Sequence, residues 1–346
     1  MKSEQSENIT ELGTSDGIVA RFRAKIVPLN PLIEETIVFS ILMALTWIWM
    51  PIAYIFDSLP LIVIGWSLAV LEFLWMVLGS HFIRKRGFFD LGFTSPRRLI
   101  VNLGKVKGWR DKWNYFLILG TVLAAYIIYM ATFTPFTNLM PVISNINQFL
   151  ISHVDAITAF VIATGEFVLF GAATALFFFK TDNIKPSLKA HAKYGSPFLI
   201  MLFVAALIVA PAKVYSQTFM GIVSSFLGYI YWALFQQVTT LVYFNTSARE
   251  GLERSKRITN PVARRVIASI ITAFFFSAIH FPAPVLSAIA FGMEFILAML
   301  YYEPKTRNIF VTCLIHAMAG VVIVFFLNID LSVGFLTVLG NRALSP

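Results

Sequence analysis

Charged residues are scarce in this 346-residue chain: aspartate, glutamate, lysine and arginine make up 13% of it, against 58% hydrophobic residues. So few charges cannot cover the surface of a soluble domain of this size, which excludes the water-soluble globular classes. Cysteine is nearly absent too. The single Cys313 can form no internal disulfide, so cysteine usage says nothing about the redox compartment. Acidic residues are outnumbered by basic ones, 18 against 27, for a net charge of +9. In a soluble chain that excess would point to a polyanion. Here the bases sit in short loops between apolar runs, as in the inner-face loops of a membrane protein, and no nucleic-acid partner is expected. No cleavable leader is expected either, because residues 1–36 are polar and the first apolar run is too long and has no small-residue cleavage site behind it. No internal repeat, low-complexity stretch or loop long enough for a soluble domain is visible.

What the chain does have is apolar runs. About nine approach the ~20 residues that a helix needs to span the hydrocarbon core. They lie near residues 37–56, 61–82, 115–135, 156–179, 197–212, 219–244, 266–283, 284–302 and 308–327. Pro282 and Pro284 separate the seventh from the eighth, since proline can continue neither helix. Arg84, Lys85, Arg86, Arg97 and Arg98 crowd the loop after the second run, whereas residues 136–155 hold no lysine or arginine. The bias alternates along the chain, and an excess of bases on the inner face then places the N-terminus inside and the C-terminus outside. The expectation is an all-α polytopic transmembrane bundle of about nine spans. It has a polar cytoplasmic arm at 1–36, a membrane domain at 37–327 and a tail at 328–346. Within the arm, residues 17–27 have the composition of a basic amphipathic helix on the inner leaflet.

Two of only five histidines, His280 and His316, stand inside apolar runs. An ionisable group at that depth is expensive and marks a functional site by default. The sixth run carries two adjacent carboxamides, Gln236 and Gln237. Neighbouring helical positions point about 100° apart, so only one of them can face a given partner squarely. Carboxamides in lipid need partners, and His280 and His316 are expected to join them in one polar cavity. Three acids lie mid-span: Glu72, Glu166 and Glu294. Glu294 is the best placed, because its helix falls in sequence between those of the two histidines.

The order of these features resembles the CPBP family, the CAAX-protease and bacteriocin-processing intramembrane endopeptidases. Gln236-Gln237 stands in one helix, Phe276-x-x-x-His280 in the next, a glycine-containing helix follows, and His316 stands in the last. Pro282, the turn Glu303-Pro304-Lys305-Thr306-Arg307-Asn308 and the segment Leu91-Gly92-Phe93-Thr94-Ser95-Pro96 add to the likeness. The core of the resemblance is 219–327. It implies an all-helical membrane bundle in a bacterial inner membrane that hydrolyses a lipidated or membrane-associated peptide, with membrane lipid around it.

This chain departs from the family's pattern in two motifs. Gln236-Gln237 replaces a Glu-Glu pair in which one glutamate activates water, and Leu241 stands where an arginine is expected. A carboxamide cannot accept the proton that a general base takes. Gly320 stands where the third motif carries a polar residue that helps to hold an oxyanion. The resemblance thus implies catalytic candidates His280, His316, Gln236 and Gln237; Glu72, Glu166 and Glu294 are candidates to restore the missing base, and Glu294 joins the catalytic set as the best placed of them.

Several alternatives stay open. His280 and His316 with Glu294 would suit zinc, leaving an open position for water. Cys313, one turn from His316, could form a thiol–imidazole pair. Glu34-Glu35 reads as interfacial charge at a helix N-terminus, and His81, His153 and His191 read as solvated or interfacial. A silent relative, serving as scaffold, chaperone or subunit of a membrane complex, is the second function class. An ion-coupled transporter built on Glu72, Glu166 and Glu294 is the third, although such folds commonly show inverted repeats and none is visible. One mismatch in depth stands against a shared cavity: Gln237 and His316 lie roughly 12 Å from the inner ends of their helices, and His280 roughly 20 Å from its own.

Overall fold

A computed structural model describes residues 28–104 and 183–327 except 57, 89, 256 and 282, together with isolated positions between 155 and 180. Residues 1–27 of the N-terminal arm, the third span, nearly all of the fourth, Glu166, His153 and the C-terminal tail lie outside the described residues, and the end of the arm, from Pro31, is already helical. Among the described residues every regular element is helical, so the protein is an all-α membrane bundle.

Asn30 caps the first helix by accepting from the Leu32 amide at 3.0 Å, and Pro31 supplies a preformed first turn. Helix α1 (Pro31–Ala44) runs through a π-helical stretch, Leu45–Trp49, into α2 (Met50–Ile55). Helix α3 (Leu59–Leu74) passes through Trp75–Gly79 into α4 (Ser80–Ile83), and α5 (Pro96–Gly104) follows. After the gap come α6 (Ile184–Val209), α7 (Pro211–Ser216) and α8 (Phe219–Gln237). A π-helical stretch, Val238–Asn245, joins α8 to α9 (Thr246–Ser255). Helices α10 (Pro261–Ala278), α11 (Pro284–Tyr302) and α12 (Ile309–Val321) complete the described chain, the last extended by π-helical Val322–Phe326.

Five stretches are long and apolar enough to cross a membrane: Pro31–Ala53, Pro60–Ile83, Ile184–Val209, Pro261–Ala278 and Pro284–Tyr302. The shorter Ile309–Val324 is apolar as well. They correspond to the first, second, fifth, seventh, eighth and ninth expected spans. The fifth starts at residue 184 rather than near 197, because Lys185, Lys189, His191 and Lys193 continue the helix while hiding it from hydropathy. The sixth likewise does not stop near 244. Helix α8, the π stretch and α9 form one continuous rod to Ser255.

That continuity removes most of the depth mismatch. Gln237 stands roughly five turns from the end of its rod at Ser255, and His280 roughly five turns from the start of α10 at Pro261. The turn before α12 is itself buried, at Arg307 and Asn308.

The C-terminal helices pack through small residues. Ala233 on α8, Ala290 and Ala298 on α11, and Ala317 and Ala319 on α12 are all buried in one core with Leu297 and Leu241. Lipid tails are as apolar as leucine, so close backbone approach and dispersion, rather than water exclusion, hold such helices together.

The N-terminal helices attach through polar groups, against expectation. Glu34 and Glu35 are buried rather than interfacial, because α9 folds over the first turn of α1. Gly251 of α9 makes room for Leu32 there: a Cβ at 251 would overlap the Leu32 side chain. Glu34 pairs with Arg84 and accepts from Trp75 Nε1 at 3.2 Å and from the Tyr243 hydroxyl at 3.3 Å. Arg86 forks onto Glu250 at 2.7 and 3.0 Å and donates to His81 Nδ1 at 3.0 Å. His81 and His191 are also buried rather than solvated. The imidazole of His191 bonds the Ser187 carbonyl at 2.9 Å and lies 3.3 Å from the Thr312 hydroxyl. Glu72 is buried in α3, and neither of its oxygens has a hydrogen-bond partner among the described residues.

Candidate functional site

Gln237 is the last α-helical residue before the chain widens into the π stretch. Two hydroxyls of the π stretch converge on the carbonyl just before it. Thr239 and Thr240 donate to the Gln236 oxygen at 2.7 and 2.8 Å. Single π insertions of this kind often occur at functional positions.

The side chain of Gln237 is fully buried, and its Nε2 reaches two other helices. It donates to Glu294 Oε2 of α11 at 2.9 Å and stands 2.5 Å from His316 Nδ1 of α12. An ionised Glu294 oxygen can only accept, which turns the Gln237 NH2 toward the pair and gives His316 Nδ1 the second hydrogen. His316 then accepts on Nδ1 and carries its proton on Nε2. The Thr240 hydroxyl lies beside the same carboxylate.

His280 follows the end of α10, in the turn Ile279–Phe281. Its ring stands edge-on to Phe276 with centroids 5.0 Å apart, and Phe276 stands edge-on to His316 at 5.5 Å. Phe276 is therefore a wedge between the two histidines. Four buried polar atoms here have no hydrogen-bond partner among the described residues: His280 Nδ1, Glu294 Oε1, Gln236 Oε1 and Gln237 Oε1.

The structure thus brings Gln237, Glu294 and His316 into direct contact and leaves His280 one ring away. Gln236 is buried but makes no hydrogen bond to that trio. As its neighbour on the same helix, it points about 100° away from Gln237. Cys313 packs in the apolar core, and among the described residues no hydrogen bond joins it to His316. Among the described residues, no three His, Cys, Asp or Glu side chains gather as metal ligands. Glu294 Oε2 and His316 Nδ1 both face the Gln237 NH2.

The position of His316 is set by the turn before α12. Gly92, at φ +81°, occupies the left-handed region, and a Cβ there would come within 3.3 Å of the Ile309 amide nitrogen. The Ile309 amide donates to the Gly92 carbonyl at 3.3 Å, and the Tyr301 hydroxyl donates to the Leu91 carbonyl at 2.7 Å. Arg307 donates to the carbonyls of Asp90, Tyr301 and Tyr302 at 2.9, 3.0 and 2.6 Å. Asn308 caps α12 at the Val311 amide and donates to the Lys180 carbonyl at 2.9 Å. The segment Leu91-Gly92-Phe93-Thr94 is thus the socket of the helix that carries His316. Arg307 reads in the sequence as one more inner-loop base; its buried role carries no local signal beyond the turn motif around it.

Residues 249–322 match the family model described as type II CAAX prenyl endopeptidase Rce1-like. This match, over about a fifth of the chain, supports membership of the CPBP family. No curated protein and no solved structure matches it. The matched stretch runs from α9 to the end of α12, so it contains His280, Glu294 and His316 and stops short of Gln236-Gln237. At family level the match supports a membrane endopeptidase of the CAAX-protease type, and the apolar helices support an integral membrane protein. The carboxamide that departs from the CPBP Glu-Glu pattern is the group that touches Glu294. Glu294 of α11 and His316 of α12 thus meet on one side-chain amide.

Proposed function

We propose that this protein is an intramembrane endopeptidase of a bacterial cytoplasmic membrane. Its substrate class is a lipidated or otherwise membrane-bound peptide, cleaved by water that Glu294 activates. The observation that carries this reading is the clasp of Gln237 on Glu294 and His316. It holds a base and a neutral imidazole together and leaves Glu294 Oε1 and His280 Nδ1 unbonded among the described residues.

The chemistry follows from the atoms. A water between Glu294 Oε1 and the substrate carbonyl gives its proton to the carboxylate as its oxygen attacks the carbon. His280 orients that water through Nδ1, and His316 offers its Nε2 hydrogen to the oxygen on which charge develops. As the C–N bond breaks, its electron pair goes to nitrogen, which takes the proton back from Glu294. Gln237 contributes position and tautomer, because an amide can donate but cannot serve as the base.

The test is cleavage of a lipid-anchored reporter peptide by the protein reconstituted in vesicles. His280→Ala is expected to lower kcat by about 10²-fold, in the range for loss of one acid–base partner, with an unchanged unfolding midpoint. A wild-type protein that cleaves no such peptide, and whose histidine variants only weaken folding or assembly, would instead be the scaffold or subunit. Orientation is checked separately. A cysteine placed by Arg254→Cys should react with an impermeant maleimide only from the cytoplasmic side, as the basic segment 245–265 requires. Labelling from outside would overturn the N-in, C-out arrangement.

A further inference from the structure

Tyr229 lies on α8 two turns before Gln237, and Gly320 lies on α12 one turn beyond His316. These two positions are fitted to each other. A Cβ at residue 320 would overlap Cε1 and Cζ of Tyr229 and stand 2.7 Å from its Cδ1. The ring therefore fills the volume that any side chain at 320 would need. It also lies over His316, with centroids 6.2 Å apart and planes 26° from parallel. His316 is thus held on one side by Tyr229, at its edge by Phe276 and at Nδ1 by Gln237.

Phenylalanine would fill this space equally well, and the chain uses 34 of them against 11 tyrosines. A phenol within the bilayer carries a hydroxyl that needs a partner, so its presence against the site asks for a use. The reaction offers one. Peptide hydrolysis places negative charge on the carbonyl oxygen, and one preorganised donor there is worth about 10²–10³ in kcat. Both Gln237 hydrogens already face Glu294 and His316. We propose that Tyr229 is the second oxyanion donor of this site, its hydroxyl reaching the scissile carbonyl oxygen from the space that Gly320 leaves open. This rests on the peptidase reading above. In the step itself the water oxygen bonds to carbon, the carbonyl π pair moves onto oxygen, and the water proton goes to Glu294. Tyr229 donates a hydrogen bond to the oxyanion and keeps its own proton.

The experiment uses full-length protein in vesicles with the lipid-anchored reporter peptide. Tyr229→Phe, which keeps the ring, is expected to lower kcat about 10²-fold with KM within about twofold. Gly320→Ala, which displaces the ring, should lower kcat as well. Placing a carboxamide donor on the facing helix, in Tyr229→Ala with Gly320→Asn, should recover at least about tenfold over Tyr229→Ala alone. A ring needed only for packing would leave Tyr229→Phe as active as wild type, and that result overturns the assignment while the peptidase reading stands. A raised KM with kcat intact overturns it equally, since it marks uniform substrate binding. Absence of wild-type cleavage removes both readings together, so the control separates the two failures.

Discussion

Glu294→Gln is expected to lower cleavage by about three orders of magnitude while the protein still inserts and unfolds at the same midpoint. The substitution keeps shape and volume, and a carboxamide oxygen at 294 can still accept from Gln237 Nε2, now at 2.9 Å from the carboxylate. Only the proton acceptor is lost, and removing a positioned base falls in the 10²–10⁴ range. The paired experiment moves the acid back. Gln237→Glu combined with Glu294→Gln exchanges carboxylate and carboxamide across that same hydrogen bond, and it should recover at least about tenfold over Glu294→Gln alone. Gln237→Glu by itself is not expected to improve on wild type, because two carboxylates in contact cannot both stay ionised. Retention of wild-type kcat in Glu294→Gln would remove Glu294 as the base.

The exchange between α8 and α11 explains why part of the site could be read from sequence and part could not. His280, His316 and Glu294 are conspicuous because each interrupts an apolar run, and that expense is visible without any fold. Which group touches which is a tertiary fact. The sequence offers Gln236 and Gln237 equally, and the helix phase that turns one toward Glu294 is set at the α-to-π transition after Gln237. Tyr229 carries no signal alone, since a tyrosine in a membrane helix is unremarkable until the missing side chain at Gly320 is found opposite it.

The same division runs through the fold. The all-α bundle follows from composition and run length, as do the positions of most described spans. The start of α6 and the run of α8 into α9 do not, because charged and polar residues continue a helix that hydropathy ends. The burial of Glu34, Glu35, His81 and His191 was illegible for another reason. A polar residue at a span end looks interfacial until a neighbouring element covers it, and α9 and α12 do so here.

Arg84→Ala should destabilise the protein by about 3–5 kcal/mol, the range for stripping one partner from a buried ion pair. The side chain of Arg84 is 1% exposed and that of Glu34 8%, so water cannot replace the lost guanidinium. Glu34 would keep only the Trp75 indole and the Tyr243 hydroxyl, two neutral donors, against a full charge. Arg86 cannot substitute, since it is already forked onto Glu250. Neutralising the orphan should repair most of the damage: Glu34→Gln in the Arg84→Ala background keeps an acceptor for Trp75 and Tyr243 without an unpaired charge. The measurement is the unfolding free energy of the two variants in lipid or mild detergent. A loss below about 1 kcal/mol for Arg84→Ala, typical of a solvated pair, would mean that the cluster is open to water. Tyr243 lies in the π stretch that begins beside Gln237, so this cluster also ties α1 to the segment that aims the site. Loosening it should disturb cleavage through position, and the Glu34→Gln repair should restore cleavage and stability together.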